Sequence, residues 1–355
     1  MEADVVADVE AAVTSEFLLQ WHITERCNLH CRHCYQEDRP LEDRPLEDLL
    51  TICEQYQDLL THLRRQRTDT VHGNLTITGG EPLLHPDLFP LLEKIRHHEK
   101  RLMPCRVAIL TNGTQIDRET ASRFAQMELR YVQVSIDGTQ PTHDAIRGPG
   151  SFEAAVRGIQ ELVRHNVITI ISMTVHRENF REFPEVVRLG QKLKVRKVWS
   201  DRHLPFGRGG TLQPLDKNEV REWLEIMSQT KSKAERRFFS KTEVALDRAL
   251  QSLVPGGQPY RCTAGKTLLA VGAQGEVYPC RRMPHNVGNL FETSLIDIYN
   301  QSPFLQKLRD DATPIPGCTG CRHFSHCGGG LRCYSYAQHG SPFHSDPGCF
   351  YAEEP

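Results

Sequence analysis

Three cysteines, Cys27, Cys31 and Cys34, fall in one short run, Thr-Glu-Arg-Cys-Asn-Leu-His-Cys-Arg-His-Cys-Tyr. A C-x3-C-x2-C loop this tight lets each thiolate ligate a different iron of a single cubane cluster. Three thiolates hold three irons and leave the fourth without a protein ligand. An iron open to chelation by a small molecule makes the loop a catalytic site rather than a staple. Zinc is the alternative. A structural zinc takes four ligands, usually as two separated pairs, and His30 or His33 could complete the set. The loop follows an apolar stretch, Phe17 to Ile23, that reads as a buried strand. The thiols are therefore expected at a strand end.

The length of 355 residues suits one large α/β domain with a smaller one beside it. A net charge of −2 calls for neither nucleic acid nor an acidic membrane surface as partner. No apolar stretch is long enough to span a bilayer. Met1 to Ser15 is acidic and lacks the basic and apolar regions of a signal peptide. Twelve cysteines without such a signal argue against a disulfide framework. Ten of them fall in two groups, the first triplet and the seven from Cys262 onward; Cys53 and Cys105 stand alone as ordinary half-buried thiols. A reducing cytoplasm suits this set.

Strand-like segments at about 17–24, 74–78, 106–111, 131–136, 168–175 and 196–203 are rich in Val, Ile and Leu and end in Gly, Asn, Asp or Pro. Buried parallel strands read this way. Amphipathic stretches lie between or after them: Glu47 to Arg65, Asp87 to His97, Asp117 to Gln126, Phe152 to His165, Asn179 to Leu193 and Asp216 to Ser228. Six β-α units predict an α/β fold, a partial (β/α)6 TIM-like barrel with ligands at the C-terminal strand ends. Pro255-Gly256-Gly257 breaks the pattern, and Gly, Pro and Cys dominate afterwards. The expected organisation is an N-terminal extension (1–16), the barrel (17–254) and a small loop-rich, cysteine-rich domain (255–355) stapled by metal clusters.

Further motifs sit at the predicted strand ends. Thr78 leads into Gly79-Gly80-Glu81-Pro82, and Ile109 to Thr111 into Asn112-Gly113. Each alone reads as a turn. Val134-Ser135-Ile136-Asp137-Gly138 is followed by His143-Asp144 and Arg147-Gly148. Arginine suits two-point capture of a carboxylate; a surface Arg–Asp pair is the plain alternative. Together with the cysteine loop, these runs resemble the radical S-adenosylmethionine (SAM) superfamily, in particular its peptide- and protein-modifying maturases. The resemblance implies that Cys27, Cys31 and Cys34 hold a SAM-binding [4Fe–4S] cluster. It implies that Gly79, Gly80, Glu81 and Pro82 hold the SAM amino group, that Tyr35 lies near adenine, and that Ser135, Asp137 and Arg147 belong to the SAM site. Pro205-Phe206-Gly207-Arg208-Gly209 resembles the loop that closes the sixth strand in the same enzymes.

Cys262, Cys280, Cys318, Cys321, Cys327, Cys333 and Cys349 resemble the SPASM extension, which carries two auxiliary [4Fe–4S] clusters. A zinc ribbon could use Cys318, Cys321, Cys327 and Cys333 but would leave the other three unexplained. By resemblance Cys318, Cys321, Cys327 and Cys349 hold the outer cluster, and Cys262, Cys280 and Cys333 the inner one. Two departures stand out. Five residues, Gly328 to Arg332, separate Cys327 from Cys333 where the family usually has three. Where relatives supply a further cysteine, this chain has Leu268, so the inner cluster either keeps an open iron or takes a ligand other than cysteine.

The resemblance implies an enzyme that cleaves SAM reductively to a 5′-deoxyadenosyl radical and abstracts hydrogen from its substrate. A ribosomally made peptide or protein side chain is the expected substrate, modified by a thioether or carbon–carbon crosslink. A small molecule or tetrapyrrole precursor is the alternative, and a zinc-bound scaffold is the reading of another class. Sulfatase-maturing relatives place an aspartate, as a base, directly after the cysteine matching Cys280; this chain has Arg281 there, which argues against formylglycine formation. About 16 residues precede the first strand, too few for the leader-binding domain of many maturases. Leader recognition is expected from a separate protein, the barrel rim or the SPASM region. Electrons are expected from a donor such as flavodoxin or ferredoxin.

Overall fold

The computed structural model describes residues 14–36, 42–66, 70–99, 105–236 and 241–351. Most of the expected N-terminal extension, and the last four residues, lie outside them. Six strands run in parallel in sequence order: β1 (Thr14–His22), β2 (Thr70–Thr78), β3 (Cys105–Thr111), β4 (Tyr131–Ser135), β5 (Thr169–Val175) and β6 (Lys197–Arg202). Helices α1 (Leu46–Gln66), α2 (Leu88–Glu99) and α3 (Arg118–Gln126) connect the first four strands. After β4 come α4 (Gln140–Arg147) and α5 (Ser151–Arg164); α6 (Phe183–Leu193) follows β5 and α7 (Lys217–Glu235) follows β6. This is the partial barrel expected from the sequence.

Each strand carries apolar residues that pack into the core. In β5 every residue but one is buried, as a parallel strand covered by helices requires. In α1, Leu49, Ile52, Tyr56, Leu59, Leu60 and Leu63 recur every three or four residues and are buried against the sheet. The Tyr56 hydroxyl reaches the Phe17 carbonyl at 2.7 Å and the Asn74 carbonyl at 2.9 Å, joining α1 to β1 and β2. Asp216 and Glu219 form a capping box that starts α7. Helix α4 falls where the sequence suggests a loop. Its eight residues are mostly polar and it ends at Gly148, so its periodicity is too short to detect.

The sheet does not stop at residue 254. A short strand β7 (Glu243–Val244) extends it beyond β6. On the other side, β8 (Leu268–Val271) pairs in parallel with β1, and β9 (Glu276–Tyr278) and β10 (Gly288–Asn289) add on antiparallel. The result is one ten-stranded sheet, open between β10 and β7. Helices α8 (Leu295–Gln301), α9 (Pro303–Arg309), α10 (Phe324–Cys327) and α11 (Arg332–His339) complete the chain. No helix among the described residues is long and apolar enough to cross a membrane.

The C-terminal region is also clasped to the far end of the barrel. Arg202, at the end of β6, makes a bidentate pair with Asp346 at 2.9 and 2.6 Å, and both side chains are almost wholly buried. Asp346 also accepts from the backbone of Leu331 and Gly348. The Tyr334 hydroxyl donates to the His203 carbonyl, and the Arg202 guanidinium lies 4.0 Å from the Tyr334 ring centre. Removing one partner of a buried pair strands the other charge, at a cost on the order of 3–5 kcal/mol. Asp346→Ala is therefore expected to lower the urea midpoint of unfolding strongly. The double variant Arg202→Met/Asp346→Leu should recover much of that loss. An unchanged midpoint in Asp346→Ala would show that the pair does not hold the two regions together.

Candidate active site

The chain leaves β1 at His22 and turns across the mouth of the barrel as the cysteine loop. Backbone bonds fix its start: Ile23 donates to the Thr78 carbonyl, Gly80 to Thr24, and Glu81 to Arg26. Gly80 lies so close to this loop that a Cβ there would stand 2.3 Å from the Arg26 carbonyl oxygen. Only glycine allows that approach. The far end is held by the loop after β6, where Gly209 donates to the Cys34 carbonyl and the Arg208 Nε to the Cys31 carbonyl at 3.3 Å.

Cys27, Cys31 and Cys34 line one cavity of about 220 Å³ at the C-terminal strand ends, together with Tyr35, Gly79, Gly80, Ser135 and Arg147. Glu81, Pro82 and Asp137 stand behind its wall. Glu81 is fully buried and turns toward β3, accepting from the Thr111 hydroxyl at 2.7 Å and the Asn112 N–H at 2.8 Å. Burial pushes its carboxyl up to about 7 against those hydrogen bonds. Glu81 thus ties the glycine turn to the Asn112 turn, and Asn112 in turn donates to Asn28 in the cysteine loop at 2.9 Å. The Thr-Asn-Gly run, weak alone, becomes part of the site through this contact.

Asp137 is the buried hub. One oxygen receives the Arg147 Nε at 2.6 Å and the His33 Nε2 at 2.8 Å; the other accepts from the Thr174 N–H at 2.8 Å. Burial alone would raise its pKa, yet the Arg147 guanidinium and the His33 ring hold it well below the carboxylate range. Arg147 extends onward, placing Nη1 3.9 Å from the Cys31 sulfur. A permanent cation beside the thiols suits a site whose ligands must be thiolates. Without metal, burial pushes the Cys27 thiol up to about 11. Sequence reading weighed His33 as a zinc ligand; here it is an orienting partner of Asp137. Its place between two cysteines was the only available signal.

All twelve cysteines are free thiols. Cys262, Cys280 and Cys333 share a small cluster with Tyr260, Met283 and Tyr334, where burial, with smaller contributions from the neighbouring thiols, raises the pKa of Cys280 and Cys333. Cys318, Cys321, Cys327 and Cys349 line a small pocket of their own in the C-terminal region. The five-residue spacing before Cys333 is taken up by a turn through Gly328, Gly329 and Gly330, all at positive φ, and by the start of α11. Leu268 lies in β8, paired with Leu18 of β1. Cys53 and Cys105, isolated in sequence, are neighbours on α1 and β3. Among the described residues no three His, Cys, Asp or Glu groups converge as a single-ion site would require. Cys27, Cys31 and Cys34 surround one cavity and Cys318, Cys321, Cys327 and Cys349 another, an arrangement that fits thiolates at the corners of a cube, whereas Cys262, Cys280 and Cys333 lie together in a packed cluster.

The chain matches the radical SAM superfamily over residues 21–190 and the SPASM iron-sulfur cluster-binding domain over residues 262–322. It is 28% identical to the pre-heme d1 synthase of Dinoroseobacter shibae, covering 93% of this chain and 85% of that one. It is 29% identical to the mycofactocin maturase MftC of Mycobacterium tuberculosis, covering 92% and 81%. The crystal structure of anSMEcpe with bound AdoMet and the Cp18Cys peptide has a TM-score of 0.74 at 19% identity, covering 95% of this chain and 94% of that one.

The packing of Gly80 against Arg26 sets a test of the site's geometry. Gly80→Ala is expected to push the cysteine loop outward while leaving the circular dichroism spectrum of the barrel intact. A misplacement of about 1 Å can reduce turnover by ~10²-fold, and SAM cleavage by the reconstituted protein should fall on that order. Wild-type cleavage in Gly80→Ala would mean the loop does not depend on this contact.

Proposed function

The chain belongs to the radical SAM superfamily and carries a SPASM domain, and we propose that it is a maturase that modifies a peptide or protein side chain. Its cofactors are SAM and [4Fe–4S] clusters, one SAM-binding and two auxiliary. When bound, they supply reductive cleavage of the SAM sulfonium and a radical that abstracts hydrogen. The observation that carries the reading is the convergence of Cys27, Cys31 and Cys34 with Gly79, Gly80, Ser135 and Arg147 on one cavity at the strand ends.

We assign the chain's own groups as follows. Cys27, Cys31 and Cys34 hold the SAM-binding cluster. Arg147 balances their charge, and Asp137 and His33 fix Arg147. Gly79 and Gly80 let backbone approach the SAM amino group. Glu81 and Pro82 set that turn from behind, Tyr35 flanks the adenine side, and Ser135 contributes a hydroxyl. Cys318, Cys321, Cys327 and Cys349 hold the outer auxiliary cluster, and Cys262, Cys280 and Cys333 the inner one. The barrel and its cover exclude water from the radical.

The likeness to a mycofactocin maturase supports the maturase reading, as does a solved neighbour of the same fold that holds a peptide beside AdoMet. The likeness to a pre-heme d1 synthase favours a second reading, a tetrapyrrole-type substrate. A separate leader-binding protein and a flavodoxin or ferredoxin as electron donor complete the proposal.

With dithionite and no oxygen, the reconstituted protein is expected to convert SAM to 5′-deoxyadenosine, and Cys27→Ala, Cys31→Ala and Cys34→Ala should each abolish this. Iron analysis should find about twelve irons in the wild type and about eight in the triple variant. Zinc with little iron, or cleavage surviving in all three variants, would refute the assignment.

A further inference from the structure

A second cavity of about 160 Å³ adjoins the first. The two share Glu25, Tyr35, Gln36 and Arg281, but none of the SAM-site groups Gly79, Gly80, Ser135 or Arg147 reaches the second one. Its lining residues include Tyr35, Phe206 and Tyr278. Three of the arginines around the larger cavity are neutralised by a carboxylate: Arg147 by Asp137, Arg202 by Asp346 and Arg282 by Asp201. Arg281 is different. Its Nη1 donates to the Tyr35 hydroxyl at 3.3 Å, and no carboxylate of the described residues lies within ion-pair distance of it. Its Nε is buried without a partner, and no hydrogen bond from Nη2 is found among the described residues. Nε and Nη2 form the edge of a guanidinium that takes a carboxylate in two parallel hydrogen bonds.

The neighbouring imidazole points to the same kind of ligand. The Gln36 amide nitrogen contacts the Glu25 carboxylate at 3.2 Å and the His22 Nδ1 at 3.0 Å. A nitrogen facing a carboxylate is a donor, so His22 Nδ1 is an acceptor and His22 Nε2 carries the proton. That Nε2–H is also buried without a partner. The unpartnered buried atoms of these two lining residues are therefore both donors, and one belongs to a permanent cation. Two carboxylates also line its walls; Glu25 accepts from the Gln36 amide and Glu276 from the backbone N–H of Gln274 at 3.1 Å. Arg281 is itself held in place, because its backbone N–H donates to Gln20 on β1 at 3.2 Å.

We propose that this second cavity is the substrate's carboxylate subsite, in which the Nε–Nη2 edge of Arg281 grips a carboxylate of the substrate while Tyr35, Phe206 and Tyr278 enclose an aromatic or otherwise planar apolar group beside it. The carboxylate anchors the substrate with its reacting carbon toward the cavity of Cys27, Cys31 and Cys34. This rests on the radical SAM reading and narrows its substrate class. A peptide's free C-terminus or a tetrapyrrole propionate would supply the same chemistry.

The test uses the reconstituted holoenzyme at saturating SAM and reads binding by calorimetry. One arm compares the tetrapeptide Ala-Ala-Ala-Phe with its C-terminal amide; the other compares coproporphyrin III binding to wild type and Arg281→Gln. In at least one arm the carboxylate with Arg281 present should bind ~10-fold or more tightly. Arg281→Gln should erase the acid-over-amide preference, and Arg281→Lys should retain part of it. The responding arm identifies the source, peptide or tetrapyrrole. Absence of a preference in both arms overturns the proposal. So does an acid preference that persists in Arg281→Gln, or one that appears only when the titration is repeated without SAM, which would give Arg281 to the SAM carboxylate. Formation of 5′-deoxyadenosine by the wild type, measured on the same preparation, separates failure of the subsite from failure of the radical SAM reading.

Discussion

The carboxylate of Asp137, buried beneath the cysteine loop, is the contact on which the rest of the site depends. It collects His33 from the loop, Arg147 from α4 and the Thr174 N–H from β5. Three segments distant in sequence thereby take fixed positions around one charge. A carboxylate with no exposure is unfavourable alone and stable only when paired and hydrogen-bonded. The pairing works in both directions, since Arg147 needs Asp137 to remain charged in a buried place. Arg147 then presents that charge to the Cys31 thiol.

The same logic recurs at the seam between barrel and C-terminal region. Asp346 neutralises Arg202, and Asp201 neutralises Arg282 at 2.5 Å. Each pair joins the end of β6 to a segment beyond residue 254. At the opposite side, β8 adds to the edge of β1 through backbone pairing. The cysteine-rich region is therefore fastened to both flanks of the strand ends. This brings Cys280 and Arg281 to the mouth of the barrel, where Gln20 of β1 receives the Arg281 N–H. A loop-rich segment with little core of its own gains its position from the sheet it extends.

Much of this was legible in the chain itself. Apolar runs of parallel-strand type located all six barrel strands to within a few residues, except β2, which starts earlier through His72 and Gly73. Cysteine spacing and the glycine and acidic motifs at strand ends pointed to the chemistry, because ligand geometry demands close spacing along the chain. Local periodicity also located the long helices. It missed α4, whose eight mostly polar residues carry Arg147 into the site. It also missed β8 to β10, since strands of two to four residues give no pattern.

The sequence by itself determined the barrel, the thiol triplet and the arginine where relatives of another specificity have an aspartate. Those features depend on neighbours within a few residues, where period and spacing act. Only the tertiary structure decided which charges are spent on one another and which are not. Arg147, Arg202, Arg281 and Arg282 look alike along the chain. Three find a buried carboxylate, from 10 to 144 residues away. Arg281 finds a phenol. Electrostatic pairing acts through space over a few ångströms, and the fold alone sets which groups come within that reach.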